Sequence, residues 1–343
     1  MPTSKLQDTS VVFCSAPQPR IRHQDLPRTH LACRFHLTSH PQSPPSHFRC
    51  YNLTLPTSAS RPYIHNPALR DTQSPSLPSL VNSDSISDNM AKVDNNIAGR
   101  LALITGASGG IGSACARMLH GLGAHLALTY SSNATSVQDL IATLPSKADQ
   151  KSTSHQVDVA NADNLTRLFD EIKAQHGRHP DILISNAGYG KRISDIVDIP
   201  LEEFDKMMTV NLRASFILSK LAVPHMSSQG WGRIVFVSSI AAVGGGINGC
   251  HYAASKAGLA GMMKNLAQKL AKDGITVNDI SPAMIGDTGM LKDAKAVEGT
   301  AGDVKNIPVG RLGTPDECAN AVKMIVETGY LTGQSIFMTG GLK

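Results

Sequence analysis

The chain has 343 residues, 41% of them hydrophobic and 17% charged, which supports a real core in one large domain or two ordinary ones. No apolar run reaches the length of about eighteen residues that a membrane-spanning helix needs, which argues against such a span. The formal charge of +5 divides into +3 over residues 1–89 (8 Lys+Arg, 5 Asp, no Glu) and +2 over the rest (24 against 22), so the body offers no clustered basic surface for nucleic acid.

Residues 1–89 differ in kind from residues 90–343. They hold none of the 29 glycines but 12 of the 19 prolines, with 14 serines and 6 of the 13 histidines. A segment without glycine has no easy residue for turns with φ > 0. Pro-Ser pairs, as in Gln42-Ser43-Pro44-Pro45, interrupt every periodic pattern, so the stretch reads as a disordered tail. Its Arg- and Ser-rich, acid-poor composition suits a mitochondrial transit peptide. Pro17, Pro19 and Pro27, however, break the amphipathic helix such a signal needs. No motif speaks for a docking tail. Met90 is the first methionine after Met1 and opens Met90-Ala91-Lys92 just ahead of the ordered pattern. The favoured expectation is therefore a non-native extension, with a transit peptide second. The location expected is cytoplasmic, or mitochondrial in the second case. No secretory h-region follows the start, so the sequon Asn52-Leu53-Thr54 carries no weight. Cysteines 14, 33, 50, 115, 250 and 318 show neither Cys-x-x-Cys nor Cys/His metal spacing, which argues against zinc and against a disulfide framework.

From Gly99 onward, apolar runs alternate with helical spacing. Leu101–Thr105, Leu126–Tyr130, Asp181–Ser185, Arg233–Ser238, Thr276–Ile280 and Ser335–Met338 read as strands. Leu165, Leu168, Phe169 and Ile172 mark one of the intervening helices. Such alternation predicts a doubly wound α/β domain with a parallel sheet buried on both faces.

The first strand runs into Thr105-Gly106-Ala107-Ser108-Gly109-Gly110-Ile111-Gly112, and a helix comes next through Ala114, Cys115, Met118 and Leu119. Gly106, Gly110 and Gly112 allow a tight turn, close approach of a pyrophosphate to the backbone, and close helix–strand packing. The helix N-terminus is the natural seat for that anion, and Ser108 and Ile111 belong to the same turn. After the second strand a carboxylate would bind the ribose diol of NAD and repel the extra phosphate of NADP. Here stand Tyr130, Ser131, Ser132 and Asn133, with no acid, so NADP(H) is favoured over NAD(H). Asp158 and Val159, after the third strand, are placed beside the adenine.

A second cluster comprises Ser239, Tyr252 and Lys256. Tyr252 and Lys256, four apart, share one helix face. The lysine ammonium is expected to lower the tyrosine pKa toward neutrality, which would let the phenol exchange a proton at working pH. Ser239, ending the strand through Ile234–Val237, can hold a carbonyl oxygen.

Together these residues resemble the short-chain dehydrogenases/reductases over residues 97–343. The matching motifs are Thr105–Gly112, Asn186-Ala187-Gly188, Asn211, Ser239, Tyr252, Lys256, Ser281-Pro282 and Ile307-Pro308-Val309-Gly310-Arg311. The resemblance implies one Rossmann domain with a seven-stranded parallel sheet. It implies Tyr252 as acid/base, Ser239 as carbonyl anchor, Lys256 on the nicotinamide ribose, and Asn211 holding a water that links Lys256 to solvent. It also implies cofactor contacts from Asn186, Ala187, Gly188, Pro282, Ile285 and Thr288. The sequence departs from the family at Gly109 (often Arg), Ala283 (usually Gly), Thr288 (one position late) and Thr339 (usually Asp).

The wording is most similar to 3-oxoacyl-(acyl-carrier-protein) reductases of fatty acid biosynthesis, as in Gly232-Arg233-Ile234-Val235, Tyr252–Gly258 and Gly274-Ile275-Thr276-Val277-Asn278. Gly230 and Asp273, where the family docks its acidic carrier, are not basic. The implied substrate is a 3-oxoacyl thioester or a related ketone, with an unrelated small ketone of secondary metabolism as the alternative. Residues 286–306 are expected to form a mobile lid. A redox sensor without turnover is the rival reading. A missing Tyr or Lys would have favoured it, and both are present. A homotetramer is implied, built from helices around Leu212–Leu221 and Tyr252–Leu270 and the last strand. Leu259, Met262, Met263, Leu266 and Leu270 make the second of these helices apolar on more than one face.

Overall fold

The structure, a computed structural model, describes residues 93–146 and 149–343. The readings of residues 1–89 and of Met90 lie outside these. Seven strands form one parallel sheet: β1 (Leu101–Ile104), β2 (His125–Tyr130), β3 (Ser152–Gln156), β4 (Ile182–Ser185), β5 (Gly232–Val237), β6 (Ile275–Pro282) and β7 (Ser335–Met338). Their order is β3-β2-β1-β4-β5-β6-β7. The chain winds outward from β1 to β3, then returns to pair β4 with β1. The crevice at the carboxyl ends of β1 and β4 is thus the topological switch point, where open α/β sheets bind ligands.

Helices cover both faces: α1 (Gly110–Gly121), α2 (Ala134–Thr143), α3 (Ala162–His176), α4 (Leu201–Met208), α5 (Ala214–Gln229), the short α6 (Ala241–Gly244), α7 (Cys250–Leu270) and α8 (Pro315–Val326). Side chains alternate along each strand. Ala102 and Ile104 of β1 face Cys115 and Leu119 of α1 and Val322 and Ile325 of α8. Leu101 and Leu103 face Leu168 and Ile172 of α3, Leu218 of α5 and Met263 of α7. Helix α8 starts on a capping box, Thr314 with Glu317, with Pro315 at its first position.

Three features differ from the sequence reading. Strand β3 reads Ser-Thr-Ser-His-Gln and shows no apolar run, because an edge strand need not be buried on both faces. The domain starts before residue 97, since Trp231 Nε1 donates to the Asp94 carbonyl at 2.8 Å and Gly329 N donates to Asn95 Oδ1 at 2.8 Å. Between α4 and α5 the backbone widens into a π-helical turn over Thr209–Arg213. Such bulges are frequent at functional sites, and this one carries Asn211.

Candidate active site

At the switch point the turn after β1 is tied down from two sides. Thr105 Oγ1 accepts from the backbone N–H groups of Asn186 and Ala187, each at 3.0 Å. Asn186 Nδ2 donates to the carbonyls of Thr105 and Gly106 at 2.8 and 3.1 Å. From β2, Thr129 Oγ1 accepts from Gly106 N at 3.2 Å, and its carbonyl accepts from Ala107 N at 2.9 Å. Gly106 has φ +65°, and a Cβ on Gly112 would lie 2.4 Å from the Gly106 carbonyl oxygen. A Cβ on Gly110 would lie 2.3 Å from the carbonyl oxygen of Asp287, so the segment after β6 presses on this turn. Nothing in the local sequence signals that contact.

Helix α1 follows Gly109 at its N-cap, which gives no side-chain cap, and has no acid in its first turn. Its first N–H groups therefore remain for an anion. A cavity of about 760 Å³ starts there, lined by Gly106, Ser108, Gly109, Gly110 and Ile111. It continues past Tyr130, Ser131, Asp158 and Val159, then past Asn186, Ala187, Gly188, Pro282, Ile285 and Thr288. Of the sequence-derived cofactor residues, Gly112 and Ser132 do not line it. Gly112 acts through packing, and beyond Ser132 the chain turns into α2, where Asn133 caps the helix by accepting from Ser136 N at 3.1 Å. The hydroxyl of Thr288 is engaged within its own turn, accepting from Leu291 N at 3.1 Å. The long cleft, opening on uncapped amides, fits a dinucleotide.

The other end of the cavity is lined by Ser239, Tyr252 and Lys256. Ser239 lies just after β5, and its Oγ accepts from Ala241 N at 3.1 Å. Burial pushes the Tyr252 phenol above its ordinary value, and the nearby Ser239 hydroxyl offsets this only in part. The expected lowering by Lys256 is therefore corrected. The lysine Nζ lies 5.7 Å from the Tyr252 ring centroid and donates to the Val237 carbonyl at 2.9 Å. Lys256 itself is pushed down to about 8 by burial, against the opposing charge of Asp279. Burial thus moves the lysine, rather than the tyrosine, toward neutrality.

Asn211 lies behind the cavity wall. Its Oδ1 accepts from Tyr189 N at 2.7 Å, and its Nδ2 donates to the Tyr189 carbonyl at 2.9 Å and to Ser255 Oγ at 3.0 Å. Ser255 in turn donates to the Tyr252 carbonyl at 2.8 Å. Asn211 thereby joins the segment after β4 to the helix bearing Tyr252 and Lys256. Lining residues the sequence did not single out include Tyr189, Lys206, Val210 and Met290. No motif marks them, because tertiary packing of the post-β4 segment, α4, the π-helical turn and the post-β6 segment brings them to the site.

A family model described as enoyl-(acyl carrier protein) reductase matches residues 106–343. The 3-oxoacyl-(acyl-carrier-protein) reductase FabG of Rickettsia felis is 36% identical over 251 residues, covering 72% of this chain and 98% of that protein. FabG of Escherichia coli is 35% identical with the same coverage. Dehydrogenase/reductase SDR family member 4 of Caenorhabditis elegans is 32% identical, covering 71% of this chain and 95% of that one. Among solved structures, a double mutant of a Serratia marcescens short-chain dehydrogenase/reductase aligns with a TM-score of 0.65 at 32% identity, covering 72% of this chain and 99% of that one. With its switch-point cleft and the side chains gathered along it, the chain belongs to the short-chain dehydrogenase/reductase family of oxidoreductases.

Proposed function

We propose that the chain reduces a carbonyl to a secondary alcohol with NADPH, acting on a 3-oxoacyl thioester or a related ketone. The observation that carries this reading is that Ser239, Tyr252 and Lys256 line the same cavity as the uncapped start of α1. The names of the FabG relatives support the substrate class. When bound, the nicotinamide supplies the hydride. Gly106, Ser108, Gly110 and Ile111 hold the pyrophosphate, while Tyr130, Ser131, Asp158 and Val159 hold the adenosine. Asn186, Ala187, Gly188, Pro282, Ile285 and Thr288 flank the nicotinamide half. Ser239 orients the substrate oxygen, and Tyr252 gives it a proton. A phenol raised by burial stays protonated at neutral pH, which is the form reduction needs. Lys256 contacts the ribose and supplies positive charge near the phenol. Asn211 keeps α7 and the Asn186–Gly190 segment in register. No carboxylate among Tyr130, Ser131 and Ser132 opposes the NADP phosphate.

The test is NADPH oxidation against a panel of ketones and acetoacetyl thioesters, with NADH in parallel. Turnover of none of them, or preference for NADH, would sink this reading. Two further proposals accompany it. Residues 1–89 are dispensable, so a chain starting at Met90 keeps the melting temperature and activity of the full chain. The protein is a homotetramer, which light scattering would check. Phe216 on α5 and Phe337 on the edge strand β7 are 54% and 50% exposed, large apolar groups suited to self-association. Among the described residues no helix is long and apolar enough to cross a membrane.

A further inference from the structure

The wall of the cavity carries two lysines, and they are used differently. Lys256 is buried and committed to the Val237 carbonyl. Lys206, on the exposed side of α4, has no hydrogen-bond acceptor among the described residues. Its Nζ lies 4.2 Å from the centroid of the Tyr189 ring, so a cation–π contact holds it over that face. Tyr189 is itself fixed, since Asn211 takes both its backbone N–H and its carbonyl. Its ring packs against the small cluster of Met207, Ala241 and Tyr252. One residue further on, a Cβ on Gly190 would lie 3.6 Å from Tyr252 Cε2. The ammonium of Lys206 is thus poised one aromatic ring away from the proton-donating tyrosine.

The neighbouring acid is ion-paired with another lysine, so it offsets this charge only in part. Glu203, one turn earlier on α4, is pulled up by burial but held below its ordinary value by the bond from Lys191 and the charges of Lys191 and Lys206, and its Oε2 lies 3.2 Å from Lys191 Nζ. Two lysines therefore face one carboxylate. Among the described residues the only acid lining the cavity is Asp158, and it accepts from Ala160 N at 3.0 Å in the turn after β3. The substrate end is left with net positive charge and a pre-positioned donor.

We infer that Lys206 recognises an anionic group on the substrate, so that the preferred ketones carry a carboxylate within a few bonds of the reacting carbonyl. The inference rests on the carbonyl-reductase reading and narrows it, favouring a free oxo acid over a neutral ketone or a thioester. A cation over an aromatic face at the wall of an open cleft gains most when a carboxylate becomes its partner.

The test pairs acetoacetate with its uncharged ethyl ester. In the wild type, kcat/KM should favour acetoacetate. K206M should raise KM for acetoacetate by about tenfold, the scale of one hydrogen bond to a charged group, and should collapse the ratio between the two substrates. K206R should restore it. Calorimetric titration of acetoacetate into the NADP-saturated protein reads the same contact without turnover, and K206M should weaken that binding by a similar factor. Equal losses on both substrates, a wild-type preference for the ester, or a weakened Kd for NADPH alone would overturn the inference and leave the reductase reading standing. Lys206-dependent binding of acetoacetate without reduction of either substrate would instead overturn the reductase reading and leave anion recognition in place.

Discussion

The two ends of the cavity are built on opposite principles. At the start of α1 the chemistry is in the backbone. Glycines bring peptide groups close together, and the useful donors are N–H groups that no side chain caps. At the start of α7 the chemistry is in side chains held by other side chains, with Asn211 and Ser255 behind Tyr252. The first end is damaged by adding an atom and the second by removing one. Substitutions at the two ends should therefore fail in different observables.

The largest effect is expected at the second end. Tyr252→Phe removes the proton donor and should lower kcat by about 10²–10⁴-fold. The Kd for NADPH, measured by fluorescence titration, should stay near the wild-type value, because the ring is kept. Loss of cofactor affinity together with turnover would show that the two ends are not separable. Gly112→Ala is the counterpart at the first end. Its Cβ would meet the Gly106 carbonyl oxygen at 2.4 Å, a backbone atom that cannot swing away. We expect a loss of about 3 kcal/mol, seen as a fall of about 9 °C in Tm, with cofactor binding lost in parallel. An unchanged Tm would mean that α1 can shift outward at little cost.

Ser131→Asp sharpens the comparison within the first end. A carboxylate beside the NADP phosphate should reduce the NADPH-to-NADH ratio of kcat/KM by about tenfold. No change would place the phosphate away from the end of β2. The smallest effect concerns pH at the second end. Lys256 loses its ammonium as pH rises through about 8, whereas Tyr252, raised above its ordinary value of 10.0, is still protonated there. Reduction should therefore decline on the alkaline side near pH 8, and the limb belongs to the lysine. Asp279 favours the charged lysine, so Asp279→Asn should move that limb downward. A limb unmoved by this change would mean that Lys256 does not set it. Stability runs in the other sense. The folded lysine binds a proton less tightly than the unfolded one, with its ordinary value of 10.5, so folding should gain from rising pH between about 8 and 10.5.

How far each end is legible in the sequence reflects the same contrast. Glycine spacing is local, so the Gly106–Gly112 turn and its place between a strand and a helix are readable directly. Tyr252 and Lys256 are readable because one turn of helix separates them. Strand β3 is not, because its Ser-Thr-Ser-His-Gln run lacks the apolar signature of the buried strands. The protonation state of Tyr252 escapes the sequence for a related reason. Spacing brings a lysine near a phenol but says nothing of how deeply both are buried, and burial raises the phenol.

The order of apolar runs, the glycine turn and the Tyr–Lys spacing come from the sequence alone, since each depends on residues within a few positions of one another. Contacts between residues far apart were decided only by the tertiary structure. Asp287 is brought onto Gly110, Ser255 behind Asn211, and Lys206 over Tyr189 beside Tyr252. These arise where loops and helices following different strands converge at the carboxyl edge of the sheet, and no periodicity along the chain encodes which of them will touch.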